Sequence, residues 1–374
     1  MGRDRPRWGR PGGGGPALPP PRRRGGRAVG SAAPEVGPLE APAGRSGPAR
    51  RGGSGVAGGR VRAAAAARRR WVEPAGTWYV LPTAFSDDGE LDLGSERRLV
   101  EAVLAWGVDG LVALGVTGEA AALDPAERDA VVRTVVEAAG GRAPVVVGCA
   151  GQAAHPVQAT AARARELGAD GVLVLPPLLG RDPAAVPGFF ARVAEAGLPV
   201  VLQDDPSASG VRLSVEVLLR AAEACRAAAV KLEDPPTPPK IAELLAARRE
   251  LRVFGGLGGL HALGELRRGA VGTMTGFAYP EVLRAVRLAL EGGDVRGAAG
   301  VFDRYLPLIA FEAQPGIGLA IRKELLRRRG VLASARARMG GPLDALTLRE
   351  LEEVLDRVGI APSPDPYDVA PWNG

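Results

Sequence analysis

From Gly76 onward the chain alternates short, almost wholly apolar runs with longer segments whose apolar positions recur at helical spacing. TWYVLPTAF (77–85), GLVALG (110–115), APVVVGC (143–149), DGVLVLP (170–176), LPVVLQ (198–203), AAAVKL (227–232), LRVFGG (251–256) and AVGTMTG (270–276) read as strands. A helix follows each. The first runs from a cap at Ser95 to about Trp106, and the second opens on Asp124-Pro125, an N-cap followed by a first-turn proline. The others start near His155, Asp182, Ser214 and Pro238, within 259–268, and at Pro280. The strands lack a polar face, as expected where both sides are covered. Eight such units predict an α/β fold, a (β/α)8 TIM barrel over 74–293. An open doubly wound sheet is the rival, but the first strand does not run into a G-x-G-x-x-G turn. Residues 294–374 form a C-terminal helical extension and tail, in which LTLRELEEVLDRVG shows a capping box of Thr347 with Glu350.

Before the barrel, residues 1–73 have no periodicity and are dense in Arg, Gly and Pro, so they read as a disordered leader. Residues 1–70 hold 16 arginines and no lysine against Asp4, Glu35 and Glu40, a formal charge of +13. The whole chain carries +6, which leaves −7 on the remainder. The body is therefore mildly acidic, and a nucleic-acid partner is not favoured. A basic tail for anionic surfaces and a dispensable extension both remain open for the leader. A transit peptide is opposed, because Gly and Pro prevent an amphipathic helix. No run approaches the ~18 apolar residues of a membrane span. Two cysteines and two histidines (His155, His261) favour neither a disulfide scaffold nor a multi-histidine metal centre, and point to a reduced, cytoplasmic setting.

The choice of cation is more informative. Only Lys231, Lys240 and Lys323 are lysines; the other 45 of 48 basic residues are arginines. Lys323 reads as part of a solvated helix face, where arginine would serve equally. Lys231 ends the sixth apolar strand, at the face where barrel enzymes place their chemistry. An amine buried there is desolvated, which disfavours its charged form. Neutral amine is what a Schiff base with a carbonyl substrate needs, and guanidinium cannot provide it. Pairing with Glu233 or Asp234 is the alternative, and the two readings stand level on this residue alone.

The second strand ends in Gly115-Val116-Thr117-Gly118-Glu119. Its glycines allow a tight turn with exposed N–H groups, suited to a carboxylate, or simply a tight connection. Taken together, LPTAF, GVDGLVALGVTGE, the P-S-x-S-G run from Pro206 to Gly210, Lys231 and GAVGTMTG resemble the dihydrodipicolinate synthase/N-acetylneuraminate lyase family of class I aldolase-like barrels. The likeness extends from about Gly76 to Gly359. It implies that Lys231 forms a Schiff base with pyruvate or a related 2-oxo acid. It also implies that Thr117, with the backbone around Val116 and Gly118, holds the acid's carboxylate. Gly272 and Met274 would then sit beside the imine.

The resemblance also marks departures. Val116 replaces a hydroxyl residue, Gln203 replaces a tyrosine, Pro177-Leu178 stands where many members have a second tyrosine, and Ala208 replaces the arginine for an aldehyde's carboxylate. Those hydroxyls relay protons in the synthases, and Val, Gln and Leu cannot. Gln203-Asp204-Asp205 is the expected replacement, with a carboxylate as general acid or base. Asp-Asp-Pro is equally a turn signature. Tyr279 is a second candidate, or packing. The Gly255–Gly259 run, after strand seven, allows a phosphate cradle. LEDPPTPPK (232–240) reads as a stiff connection above the mouth. His155, His261, Cys149 and Cys225 receive no role.

The resulting expectation is a Schiff-base lyase acting on pyruvate or another small 2-oxo acid by aldol cleavage, condensation or dehydration. No cofactor or metal is required, because the iminium is itself the electron sink. The departures argue against 4-hydroxy-tetrahydrodipicolinate synthase activity, which stays as an alternative beside a non-catalytic 2-oxo acid-binding barrel. The partners expected are the 2-oxo acid, an aldehyde and further copies of the chain in a dimer or tetramer.

Overall fold

The computed structural model describes residues 73–177 and 183–369. The disorder expected of the leader, the helix start expected at Asp182 and the position of Leu178 lie outside the described residues. Eight parallel strands form a closed barrel in chain order, with β8 pairing back onto β1. They are β1 (Gly76–Val80), β2 (Gly110–Ala113), β3 (Val145–Cys149), β4 (Gly171–Val174), β5 (Val200–Asp204), β6 (Ala229–Leu232), β7 (Val253–Gly255) and β8 (Gly272–Thr275). The helices between and after them are α1 (Leu93–Ala105), α2 (Pro125–Ala139), α3 (Ala154–Glu166), α4 (Val186–Ala194), the single turn α5 (Pro206–Ser209), α6 (Val215–Ala224), α7 (Thr237–Ala247), α8 (Ala262–Leu266) and α9 (Pro280–Glu291).

Side chains alternate across each strand. Val80, Val112, Val146, Leu173, Val201 and Met274 turn inward with Trp78 and Phe254, whose rings meet edge to face with centroids 5.8 Å apart. Gly110 makes room for the indole, since a Cβ there would lie 2.4 Å from Trp78 Cδ2. Truncating either ring to alanine would cost about 3–5 kcal/mol. Intervening residues such as Leu111, Val172 and Leu202 belong to the larger core shared with the helices.

Beyond the barrel, α10 (Val295–Glu312), α11 (Gly318–Arg328) and α12 (Ala345–Val358) form the helical extension. Arg329, fully buried, lies 3.4 Å over the Trp106 ring and pairs with Glu281 at 2.7 Å, which ties the extension to α1 and α9. Among the described residues no helix is long and apolar enough to cross a membrane.

Local signals were displaced in four places. β1 stops at Val80 because Pro82 has no N–H with which to continue the ladder. The cap of α1 is Asp92, not Ser95: its carboxylate accepts the Ser95 N–H at 2.9 Å, so Ser95 already lies in the first turn. Likewise α12 is capped by Asp344, which accepts from Leu346 N and Thr347 N, rather than by Thr347 with Glu350. Half of the LEDPPTPPK connection is helix, since prolines are tolerated in a first turn that needs no N–H. The Asp124 capping box of α2 and the Ser214 cap of α6 stand as expected.

Candidate active site

Register brings the first two site residues together. Gln203 of β5 pairs with Lys231 of β6, and Lys231 pairs with Phe254 of β7, so all three point into the cylinder. Lys231 is only 5% exposed, and its Nζ lies 2.9 Å from Oε2 of Glu233, which is itself buried. Two residues further along the same strand direction, Glu233 repeats the inward parity of Lys231. Gln203 Nε2 donates to the same oxygen at 2.7 Å, and the Leu257 backbone N–H donates to Oε1 at 3.1 Å. One carboxylate therefore holds the lysine, the glutamine and the loop after β7 in a single constellation. Of the two readings of Lys231, the pairing with Glu233 is the one present in the unliganded site.

That loop is shaped for Glu233. A Cβ on Gly256 would lie 2.3 Å from Glu233 Cγ, so only glycine admits the side chain. The phosphate-cradle reading of Gly255–Gly259 thereby loses its ground: the anion bound by the loop's N–H is the protein's own.

The β2 turn is built from the opposite side. Val116–Gly118 forms a tight 3-10 turn between two left-handed residues, Leu114 (φ 55°) and Glu119 (φ 53°). Gly118 N–H closes the turn onto the Gly115 carbonyl, and Thr83 Oγ1 donates to the Gly118 carbonyl at 2.6 Å. The expectation for the backbone at Gly118 narrows accordingly to its neighbour, because the Thr117 hydroxyl is buried with no partner among the described residues. Val116 is half exposed at the rim, and Met274 is fully buried in the barrel interior.

Glu119 accepts from Lys323 Nζ at 2.5 Å and from Met339 N–H at 2.6 Å. Both members of this ion pair are 0–1% exposed. Lys323 is thus not on a solvated face; it is buried behind the β2 turn, a position fixed by a contact 204 residues away in sequence. Burial lowers its pKa and the Glu119 charge opposes that shift.

The acid–base residues expected after β5 do not reach the mouth. Asp204 follows inward-facing Gln203, so it faces outward, where Lys240 binds it at 2.7 Å while also holding Asp234 at 2.8 Å. Burial pushes the Asp204 carboxyl up to about 6, against the pull of Lys240. Asp205 caps α5, accepting from Ser207 N and Ala208 N, so the turn reading applies. Tyr279 packs between the Arg329 guanidinium and Tyr367 in the helical extension, away from Lys231's strand. The carboxylate that does meet Lys231 is Glu233. The signal that could have found it was the two-residue spacing from Lys231.

An open cleft of about 780 Å³ leads outward from Gln203, passing Leu173 and the rim residue Val116 and then running between α2 and α3. Its width exceeds the needs of a three-carbon acid and falls in the range of larger ligands.

Comparison with known proteins agrees with this geometry. Residues 73–358 match the dihydrodipicolinate synthetase family. The chain is 36% identical over 271 residues to L-2-keto-3-deoxyarabonate dehydratase of Azospirillum brasilense, covering 70% of this chain and 87% of that one. It is 35% identical over 258 residues to 4-hydroxy-tetrahydrodipicolinate synthase 1 of Streptomyces coelicolor, covering 67% and 83%. Among solved structures, dihydrodipicolinate synthase from Rhodopseudomonas palustris superposes with a TM-score of 0.73 at 33% identity, over 76% of this chain and 97% of that one. YagE, a prophage protein from E. coli K12 in complex with pyruvate, gives 0.70 at 25% identity, over 76% and 98%. With the matched region spanning the barrel and its helical extension, the chain belongs to the dihydrodipicolinate synthetase family and is a lyase of aldolase type.

Proposed function

We propose that the chain is a Schiff-base dehydratase for a 2-oxo acid carrying a hydroxyl on C4, with Lys231 as the nucleophile and Glu233 as the proton carrier. The observation that carries this reading is the Lys231–Glu233–Gln203 constellation, in which a single carboxylate touches the amine inside the barrel.

Lys231 passes a proton to Glu233 across the 2.9 Å contact, and the free amine adds to the C2 carbonyl. The carbinolamine takes a proton and loses water, leaving an iminium that acidifies C3. Glu233, now a carboxylate, removes the C3 proton; the enamine electrons then expel the C4 hydroxyl, which takes that proton and departs as water. Hydrolysis of the unsaturated iminium returns Lys231 and a product one water lighter than the substrate. Gln203 keeps the carboxylate oriented throughout, and Thr117, with its unpartnered hydroxyl, is the donor proposed for the substrate carboxylate.

The dehydratase among the relatives supports elimination as the reaction type. Ala208 presents no cation for a second carboxylate, which weighs against the synthase reaction. A cytoplasmic homo-oligomer completes the proposal. Both cysteines are buried free thiols, which suits a reducing compartment. Sedimentation analysis checks the assembly, since one solved relative is described as a monomeric variant.

Borohydride reduction in the presence of pyruvate, followed by peptide mass analysis, tests the reading. A reduced adduct on Lys231 is expected. Absence of an adduct with any 2-oxo acid would favour the non-catalytic barrel. Turnover assayed over 4-hydroxy-2-oxo acids then separates dehydration from aldol cleavage by the products formed.

A further inference from the structure

The cleft beside the proposed catalytic residues carries a statement about the substrate's far end. Its inner end is Gln203, one strand from Lys231 and in register with it, and its outer end lies between α2 and α3. Apolar side chains line it along its length, among them Leu173, Leu175, Val132, Ala164 and Leu167, with half-exposed Val116 and Met339 at the rim.

The polar side chains of the lining are already engaged by the protein itself. Arg163 binds Asp129 and Glu166, Arg128 donates to the Ala120 carbonyl at 2.9 Å, and Thr160 donates to the Pro156 carbonyl at 3.0 Å. Gln203 is held by Glu233, and the Cys149 thiol faces the Val147 carbonyl at 3.6 Å. Ala208 adds a methyl group to this wall. A polyol or a second carboxylate entering here would lose water without gaining partners, which is unfavourable. An apolar group would leave water for an apolar wall, which is favourable.

We infer that the substituent on C4 of the substrate is apolar and uncharged, a phenyl or branched alkyl group, and that the cleft between α2 and α3 receives it. This rests on the 2-oxo acid reading of Lys231, and it sets the chain apart from sugar-acid chemistry.

Calorimetric binding separates the two claims without requiring turnover, with pyruvate, 2-oxoglutarate and 2-oxo-4-phenylbutanoate as probes. The phenyl acid should bind about 10-fold or more tighter than either of the others. Thr160→Trp, which fills the outer half of the cleft from a half-buried helix position, should remove that advantage. Its affinity for pyruvate should stay within about twofold, which also shows that the variant is folded. Ala208→Arg should raise the affinity for 2-oxoglutarate and lower that for the phenyl acid. If 2-oxoglutarate binds the unaltered protein as tightly as the phenyl acid, or if Thr160→Trp leaves their ratio unchanged, the inference is overturned. Phenyl-acid binding that Thr160→Trp abolishes, in a protein that borohydride with pyruvate does not label, would leave the cleft assignment standing and sink the Schiff base alone.

Discussion

Two buried amine–carboxylate pairs flank the substrate turn and the reactive strand, and they are built differently. Lys323 donates to Glu119 and to the Arg336 carbonyl at 2.8 Å, and its ammonium lies 4.5 Å from the centre of the Phe85 ring. Glu119 in turn takes the Met339 N–H. The three protons of that ammonium are all occupied. Lys231 has Glu233 as its one charged partner among the described residues, and next to it Gln203 opens onto the cleft. The same two functional groups make a strut where the amine is saturated with partners and a reagent where it retains one that can take its proton.

Removing each amine should therefore fail differently. Lys231→Arg should abolish borohydride labelling and lower turnover by roughly 10³-fold or more, with the thermal midpoint little changed. Glu233→Gln should lower kcat by about 10²–10⁴-fold while pyruvate still labels Lys231 slowly, which rapid-quench labelling would resolve. If Glu233→Gln turns over normally, the proton carrier is elsewhere. Lys323→Met should act on folding first, because it strands a buried Glu119 charge; urea denaturation should show a loss of about 3–5 kcal/mol. Adding Glu119→Gln should return part of that loss, and no such recovery should follow from pairing Lys231→Met with Glu233→Gln in turnover.

A smaller effect concerns pH. Burial pushes Glu265 from 4.5 up to about 7, opposed by its hydrogen bond from Thr237, and burial does the same to Glu96. Their folded values exceed their unfolded ones, so folding takes up protons between those limits. Stability is then greatest below the lower value and falls as pH rises through the window. Denaturation at pH 5 and 7.5 should show the decline, and Glu265→Gln should flatten it by about 1 kcal/mol per pH unit. The least effect is expected from deleting the leader: a chain beginning at Val72 should turn over like the full one.

The eight strands were legible because apolar runs buried on both faces leave no ambiguity about the sheet, and their number with the intervening helices implies closure. Lys231 was legible from its place at the end of such a run in a chain that otherwise uses arginine. The acid–base partner was not. Asp204 has the right chemistry beside Gln203, but strand parity turns it outward, and that parity was available from the spacing. Glu233 has the same parity as Lys231, yet its entry depends on the space left by Gly256, on a different strand. The burial of Lys323 could not be read locally, since α11 meets Glu119 only after the chain has gone once around the barrel.

The layer formed by Trp78, Phe254 and Met274 has one more effect on the enzyme. These side chains are 0–2% exposed and stopper the cylinder beneath the lysine. Traffic is then confined to a single doorway, so the water expelled on forming the imine, the water shed from the substrate and the water that finally frees the product must all use the route by which the substrate arrived. A bulky apolar tail lodged in that passage would hold solvent back until elimination is done, and its departure would readmit the molecule that ends the cycle.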